Sequence, residues 1–180
     1  EAGIALAGPF AGSLLAALGA EVIKVERPGG GDPMRLMGPR VNDVALWWGV
    51  AARAKRSVEL DFKKPEEKAA FVELVRNADV LVENYRPGVL DRLGLGWDEL
   101  RKVNPRLVML SISGFGQTGP DSGRPGFGKI AEALSGIVSL TGKPGEVPIH
   151  IGFSLADTSA GLMGFFGIAL ALFLRDVVVA

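Results

Sequence analysis

Strand-like and helix-like segments follow one another along this 180-residue chain, and this alternation restricts the fold more than any other feature. Gly8-Pro9 opens a helical pattern that Gly19 can end, and residues 21–26 then alternate as a strand does. Three more strand-like segments follow, with helical patterns between them, at residues 57–61, 80–82 and 106–112. Because a β-α-β order implies parallel strands joined by right-handed crossovers, we predict an α/β fold with an open parallel sheet.

The helical segments carry more local signals. Pro65 suits a first helical position, and the two glutamates after it complement the helix dipole. The inward face of that helix is expected to consist of Ala69, Val72, Leu74 and Val75. Residues 114–128 hold six glycines and two prolines, which predicts a long, functional loop. Two closing helices are expected near residues 130–140 and 157–174.

Composition excludes several classes of function. Lys+Arg and Asp+Glu number 20 each, so no net field attracts a polyanion, and we expect neither nucleic acid nor a membrane as a partner. The chain has no cysteine and a single histidine, His150. Disulfides, thiolate catalysis and Cys-ligated zinc are therefore excluded, and we predict no metal site.

The run from Thr158 to Leu174 is charge-free and largely apolar over 17 residues, the lower limit for crossing a bilayer. Small residues repeat on one of its faces, which also carries Asp157: Ala160 or Gly161, Gly164, Gly167 and Ala171. Such a stripe allows another backbone to approach closely, in membranes as in soluble cores. Because neither an aromatic belt nor a basic cluster flanks the run, we predict a buried core helix.

Polar residues follow the predicted strands at their carboxyl ends, where open parallel sheets bind ligands. Arg27, Arg86 and Arg92 could each hold a phosphate, and Tyr85 could stack on a planar base. This pattern indicates a nucleotide-like ligand. The alternative for any single arginine is a solvated surface position.

Asp157 admits two interpretations, since it stands at the beginning of the last apolar helix with no cation nearby in sequence. It could be an N-cap, a role that aspartate often takes. It could instead be a nucleophilic carboxylate, kept ionised by the helix N-terminus and approached along the small-residue face.

A dinucleotide-binding oxidoreductase domain is an alternative from another class. Residues 8–12 open a helix, and Glu26 ends the next strand about where a ribose-binding acid belongs. However, the G-x-G-x-x-G pattern is missing, and Arg27 after Glu26 suits a phosphate. A non-catalytic ligand-binding or scaffold piece is a third possibility.

Several blocks of the sequence resemble the class III CoA-transferases in order and spacing, over nearly the whole chain. The blocks are AGPF at 7–10, LGAEVIKVERPGGGD at 18–32, KRSV at 55–58, DVLVENYRPG at 79–88, NPRL at 104–107, SGFGQTGP at 113–120 and ADTSAG at 156–161. The resemblance implies an enzyme of the formyl-CoA transferase and carnitine-CoA transferase type. It also implies a Rossmann-like open, mostly parallel sheet with helices on both faces, in an interlocked homodimer.

The resemblance assigns Asp157 as the catalytic aspartate, which carries the acyl group as a mixed anhydride and then CoA as a thioester. The positions that bind CoA in relatives are Arg27, Leu60, Lys63, Asn84, Tyr85 and Arg92, together with Phe127 and Gly128 of the glycine-rich loop. Backbone N–H groups of residues 126–128 are expected to stabilise developing oxyanions. No permanently bound cofactor is expected, since coenzyme A and acyl-CoA are substrates along with a carboxylic acid.

Two further expectations come from the resemblance. Racemases of the same superfamily have a histidine where this chain has Phe127, so acyl-CoA racemization is disfavoured. Relatives have an extra strand before Ala7 and continue past Arg175 into a small domain and a returning segment. Residues 1–180 are therefore expected to be the N-terminal part of the CoA-binding large domain of a longer, cytoplasmic enzyme, and residues 175–180 depart from the family pattern.

Overall fold

The computed structural model describes residues 1–178, which form an α/β arrangement of short strands and helices. The strands are β1 (Val22–Glu26), β2 (Arg40–Val41), β3 (Val44–Ala45), β4 (Lys55–Glu59), β5 (Val80–Glu83) and β6 (Val108–Ser111). The helices are α1 (Ala7–Ala17), α2 (Leu46–Ala51), α3 (Pro65–Arg76), α4 (Val89–Arg92), α5 (Trp97–Val103), α6 (Gly128–Leu134) and α7 (Leu155–Phe173). Single turns of 3₁₀ helix at Pro33–Arg35 and Ile137–Leu140 and a π-helical turn at Leu174–Val178 complete the elements.

The strands pair in parallel, as the β-α-β order predicts. β1 lies beside β4 with Glu26 opposite Glu59, and β5 lies beside β6 with Glu83 opposite Ser111. Residues 1–2 join the two pairs, because the carbonyl of Glu1 accepts from the N–H of Val25 at 2.7 Å and the N–H of Ala2 donates to the carbonyl of Val82 at 2.8 Å. The carboxyl ends of all four strands therefore meet at one edge.

A small antiparallel hairpin, β2–β3, was not predicted from the sequence. Its two turn residues, Asn42 and Asp43, have φ angles of 48° and 60°. Both side chains tolerate this left-handed region, which two-residue hairpin turns require. The flanking strands are only two residues long, too short for an alternating pattern to be recognised.

The main core lies between α3, α5 and the β5–β6 pair. Phe71 is at its centre, 2 % exposed, with its ring centroid 4.7 Å from that of Phe62. Val75 is buried beside it, whereas Ala69, expected to face inward, is exposed. The buried side of α3 is therefore centred on Phe71 and Val75, since the large aromatic ring determines which side of the helix faces the sheet.

Helix α7 packs closely against α1 and β6 through two of the predicted small residues. A Cβ atom added to Gly161 would lie 2.7 Å from the carbonyl oxygen of Ala7, and one added to Gly164 would lie 2.6 Å from Cδ2 of Leu110. Gly167, in contrast, has open space where its Cβ would be. The close approach is thus confined to the first half of the predicted stripe.

The opposite face of α7 is apolar and exposed. It carries Leu162, Met163, Phe166, Leu170 and Phe173. The segment Leu155–Val177 is long and apolar enough to cross a membrane, and 17 % of its most apolar window is buried against the rest of the chain. The prediction of a buried core helix is therefore correct for one face only, because this chain supplies packing partners on one side.

Candidate active site

Asp157 lies in the first turn of α7, half-buried, as the third residue of the helix. The helix begins at Leu155, two residues earlier than expected, so Ser154 occupies the N-cap position and Asp157 does not cap it. Within residues 1–178, no donor forms a hydrogen bond with the Asp157 carboxylate. The N-cap interpretation is therefore wrong, and the carboxylate keeps its lone pairs free.

A cavity of about 140 Å³ opens beside this carboxylate. The segments after β5 and β6, the glycine-rich loop and the start of α7 converge there, at the carboxyl edge of the strands. Its lining includes Asn84, Tyr85, Arg86, Ser113, Gly114, Arg124, Phe127, Gly128 and Asp157. Asp157 is thus accessible to a ligand that enters this cavity.

Gly128 lies directly against the Asp157 carboxyl group. A Cβ atom at position 128 would be 2.9 Å from Cγ of Asp157 and closer still to one carboxylate oxygen. Since real Cβ contacts are not this short, a larger residue would displace the Asp157 side chain. The need for glycine here comes from the space occupied by Asp157.

Burial and two neighbouring charges shift the pKa of Asp157. Burial raises the pKa of the Asp157 carboxyl above 3.8, the negative charge of Glu132 raises it further, and the positive charge of Lys129 lowers it. Neither Glu132 nor Lys129 was predicted from the sequence as a site residue. The Lys-x-x-Glu spacing on a predicted helix was a usable signal, although it is more often a solvated surface pair.

Ser113 is a third residue that was not predicted from the sequence. Its hydroxyl oxygen is buried in the lining of the cavity and has no hydrogen-bond partner among residues 1–178. An unpaired buried hydroxyl destabilises a fold by about 1–3 kcal/mol, so such groups are rare away from ligand sites.

Of the nine residues assigned by resemblance, five share the cavity: Asn84, Tyr85, Phe127, Gly128 and Asp157. The Asn84 amide also holds the loop before α1, since it accepts from the N–H of Ile4 at 2.7 Å and donates to its carbonyl at 2.8 Å. The Phe127 ring is 66 % exposed at the cavity mouth. Tyr85 packs partly on the main core, and burial raises the pKa of its phenol.

The other four residues lie outside this cavity. Leu60 follows β4 and donates its N–H to the carbonyl of Glu26 at 2.9 Å, which places it beside Arg27 at the carboxyl edge of the strands. Arg27, Lys63 and Arg92 are exposed. The structure therefore brings the Asp157 carboxylate and the glycine-rich loop together and leaves three cations at the surface.

Glu26 cannot serve as the ribose-binding acid of a dinucleotide site. Its carboxylate accepts two hydrogen bonds from Arg35, both at 2.8 Å, one from the N–H of Asp32 at 2.7 Å and one from the Ser57 hydroxyl. Four donors use the accepting capacity of a carboxylate. This observation removes the residue on which the oxidoreductase alternative depended.

Two other reaction classes can be assessed from the same residues. Racemization needs two opposed acid–base groups, and the residues described around the cavity include one carboxylate, Asp157, and no imidazole. Over residues 1–178, no cluster of three or more metal-ligating side chains is found.

The chain is similar to known proteins along almost its whole length. The model of the family described as CoA-transferase family III matches residues 1–177. The chain is 50% identical over 177 residues to a succinyl-CoA--D-citramalate CoA-transferase of Chloroflexus aurantiacus, covering 98% of this chain and 44% of that protein. It is 48% identical over 172 residues to an acetyl-CoA:oxalate CoA-transferase of Acetobacter aceti, covering 95% and 44%.

A solved structure gives the same result for the fold. The crystal structure of a CAIB/BAIF family protein from Brucella suis superposes with a TM-score of 0.92 at 40% identity, covering 97% of this chain and 47% of that chain. The predicted α/β fold is confirmed by this likeness. The chain spans less than half the length of these relatives.

Proposed function

We propose that this chain, which belongs to CoA-transferase family III, contributes the carboxylate nucleophile of a transfer reaction. In this reaction CoA passes from an acyl-CoA thioester to a carboxylic acid. The observation that carries this proposal is the Asp157 carboxylate, free of hydrogen bonds from residues 1–178 and facing a cavity lined by the glycine-rich loop. A carboxylate of this kind can attack a carbonyl carbon directly, and the reaction requires neither a cysteine thiol nor a proton relay.

In the first half of the proposed reaction, an Asp157 oxygen bonds to the thioester carbonyl carbon, the C–S bond breaks, and CoA leaves as a thiolate. The product is a mixed anhydride between Asp157 and the acyl group. The thiolate then attacks the Asp157 carbonyl of the anhydride and expels the donor as a free carboxylate. Asp157 is left as a CoA thioester, and no proton has been consumed.

The second half reverses these steps with the acceptor acid. The acceptor carboxylate attacks the aspartyl thioester and releases the thiolate, which then attacks the acceptor carbonyl of the new anhydride and restores Asp157. Each step passes through a tetrahedral oxyanion, for which we propose the backbone N–H groups of residues 126–128 as donors. Their place in the cavity lining supports this role.

We propose the eight remaining assigned residues as CoA contacts: Arg27, Leu60, Lys63, Asn84, Tyr85, Arg92, Phe127 and Gly128. The exposed cations among them are suited to the phosphates of CoA, because guanidinium and ammonium groups bind phosphate oxygens strongly. The four residues that line the cavity with Asp157 are suited to the end of CoA that carries sulfur. This division between the surface and the cavity supports a CoA molecule that extends inward along the carboxyl edge of the sheet.

We further propose that residues 1–180 are the N-terminal part of a large domain and that the complete enzyme is an interlocked homodimer. The exposed apolar face of α7 supports a larger assembly, because an apolar face of this size is normally covered in a folded protein. Names of relatives include alpha and beta subunits of a succinyl-CoA--L-malate CoA-transferase.

A trapping experiment tests the proposed nucleophile. The complete gene product is incubated with succinyl-CoA or acetyl-CoA, then treated with hydroxylamine or borohydride and digested for mass spectrometry. We expect a hydroxamate or a reduced alcohol at position 157, no such product in the Asp157→Asn variant, and an unchanged product in Asp98→Asn, which alters an exposed aspartate of α5. Modification of a different carboxylate, or of none, would overturn the proposal.

A further inference from the structure

Two side chains of α6 hold the segment that leads into α7. The Lys129 ammonium donates to the carbonyls of Ile151 and Phe153, both at 3.1 Å. One turn later, the Glu132 carboxylate accepts from the N–H of Ala156 at 3.3 Å. Because Ala156 is bonded to Asp157, these contacts fix the backbone that carries the proposed nucleophile.

Glu132 is unusual for a charged residue, being only 2 % exposed. A buried carboxylate is tolerated when it is paired and hydrogen-bonded, and Glu132 has Lys129 at 2.8 Å and Nδ1 of His150 at 3.6 Å. Gly128, in the same turn of α6, touches the Asp157 carboxyl group. Helix α6 therefore acts on the start of α7 in three ways. Its side chains form hydrogen bonds with the backbone before Asp157, Gly128 contacts the Asp157 side chain, and the charges of Lys129 and Glu132 lie nearby.

We propose that Glu132 and Lys129 act as a positioning pair, which sets the orientation and the local charge of the Asp157 carboxylate for the proposed transfer reaction. This inference rests on the proposed function for its chemistry and on the contacts of α6 for its geometry. Neither residue touches the reacting atoms, so both act through Asp157.

The opposite charges of Glu132 and Lys129 should affect the pKa of Asp157 in opposite directions, so we consider all charged and titratable groups around it. Glu132 and Lys129 come from α6, His150 from the preceding segment, and the cavity adds Tyr85, Arg86 and Arg124. The sequences of α1 and β6, which pack against α7, contain no charged residue. Glu132 raises the pKa of Asp157 and Lys129 lowers it. Removing the two charges should thus shift the Asp157 titration in opposite directions, whereas simple loss of packing would give both variants the same sign.

The direction of each shift in the Asp157 titration can be measured without following catalysis. A carbodiimide modifies the protonated form of a carboxyl group, so the pH dependence of Asp157 modification, mapped by mass spectrometry on the complete gene product, reports its titration. We expect Glu132→Gln to move the midpoint to lower pH and Lys129→Met to move it to higher pH. Lys129→Arg, which keeps the charge and can donate to the same carbonyls, should stay near the wild-type midpoint.

The acid limb of kcat/KM for CoA transfer should follow the same order, with kcat reduced roughly tenfold in the two charge-removing variants because Asp157 is less well held. Each variant is repeated in a His150→Gln background, which removes the titration of the neighbouring imidazole. Midpoints that move in the same direction, or do not move, would overturn the positioning pair. Absence of transfer in the wild type, with the opposite shifts intact, would instead reject the proposed function.

Discussion

The carboxylates of Glu26 and Asp157 both lie at the carboxyl edge of the strands, but their surroundings differ sharply. Glu26 has four donors around it, from Arg35, Ser57 and the backbone of Asp32. Burial alone would raise its pKa, but these hydrogen bonds lower the pKa of Glu26 to about 2. Asp157 has no such donor among residues 1–178, and burial raises its pKa.

The number of hydrogen-bond donors distinguishes these two carboxylates more clearly than their burial does. The region around Glu26 is saturated, and the neighbouring Lys24 ammonium likewise lies 2.8 Å from both Asp32 and Glu1. The polar groups of Glu1, Lys24, Glu26, Asp32 and Arg35 are paired with one another and support the fold. The Asp157 region has unused polar groups in a cavity, which is the arrangement that a ligand can complete.

The largest expected effect comes from converting Asp157 to a neutral amide. Asp157→Asn should lower CoA transfer by about 10³-fold or more, because the proposed nucleophile is lost. The unfolding free energy should stay the same or rise slightly, since an amide is easier to bury than a carboxylate without donors. Steady-state kinetics and thermal melts test both expectations, with Asp98→Asn as the exposed control. Marked destabilisation would show that Asp157 also supports the fold.

A smaller loss should follow from crowding Asp157 while keeping its chemistry. Gly128→Ala places a methyl group against the carboxylate and should reduce transfer by about 10²-fold, because misplacement of a reacting group by about 1 Å has effects of that size. Gly152→Ala is the matched control, since its Cβ would meet nothing within 4 Å. Equal activity of the two variants would contradict the proposed position of the reacting oxygen.

A substitution of Glu26 should lower stability and leave activity unchanged, the reverse of what we expect for Asp157. Glu26→Gln should lower the unfolding free energy by about 2 kcal/mol, because a buried hydrogen-bonded charge pair is broken, while kcat per folded molecule stays unchanged. Glu73→Gln, in an exposed pair with Arg76, should have almost no effect on denaturant unfolding.

The pH dependence of the unfolding free energy tests whether Glu26 stabilises the fold through its ion pair. The pKa of Glu26 is lower in the folded protein than its ordinary value of 4.5, so its stabilisation is present above pH 4.5 and lost as the pH falls toward about 2. The stability difference between wild type and Glu26→Gln should shrink over that window. A difference that persists at the acid end would contradict the ion-pair explanation.

The smallest expected effect concerns Ser113. Ser113→Ala removes an unpaired buried hydroxyl, so the protein should become more stable by about 1 kcal/mol, the lower end of the cost of such a group. Transfer should fall roughly tenfold, because a cavity hydroxyl free to bond the substrate is lost. Ser139→Ala, which removes an exposed hydroxyl already bonded to a carbonyl, should change neither quantity. Reduced stability with normal transfer would show that Ser113, like Glu26, supports the fold rather than the reaction.

Local signals in the sequence were sufficient for much of the fold. Pro65 begins α3 as expected, and β1 and α1 lie where predicted. Boundaries that depend on the three-dimensional context shifted: β4 is two residues earlier than expected, and the helix expected at residues 130–140 breaks at Gly136, whose φ is 84°.

The candidate site was predictable where family blocks carry it and less so where long-range contacts define it. Asp157 and the glycine-rich loop were selected from the sequence, and the structure places them together. The buried Glu132 was not selected, because its burial depends on contacts with residues about 20 positions further along the chain. Glu26 resembled a ligand-binding acid for the same reason, since Arg35 and Ser57 meet it only in the folded chain.

The direct contact of Gly161 with the main chain of Ala7 bears on how this enzyme could diversify. The spacing between α1 and the helix that carries Asp157 is set at Gly161 by direct contact with the main chain of Ala7. Substitutions on the outward face of the same helix, at Leu162 or Phe166, leave this contact with α1 in place, even where that face is covered in an assembly. Two glycines with no room for a methyl group therefore fix where the start of α7 lies, whatever covers the other side of the helix.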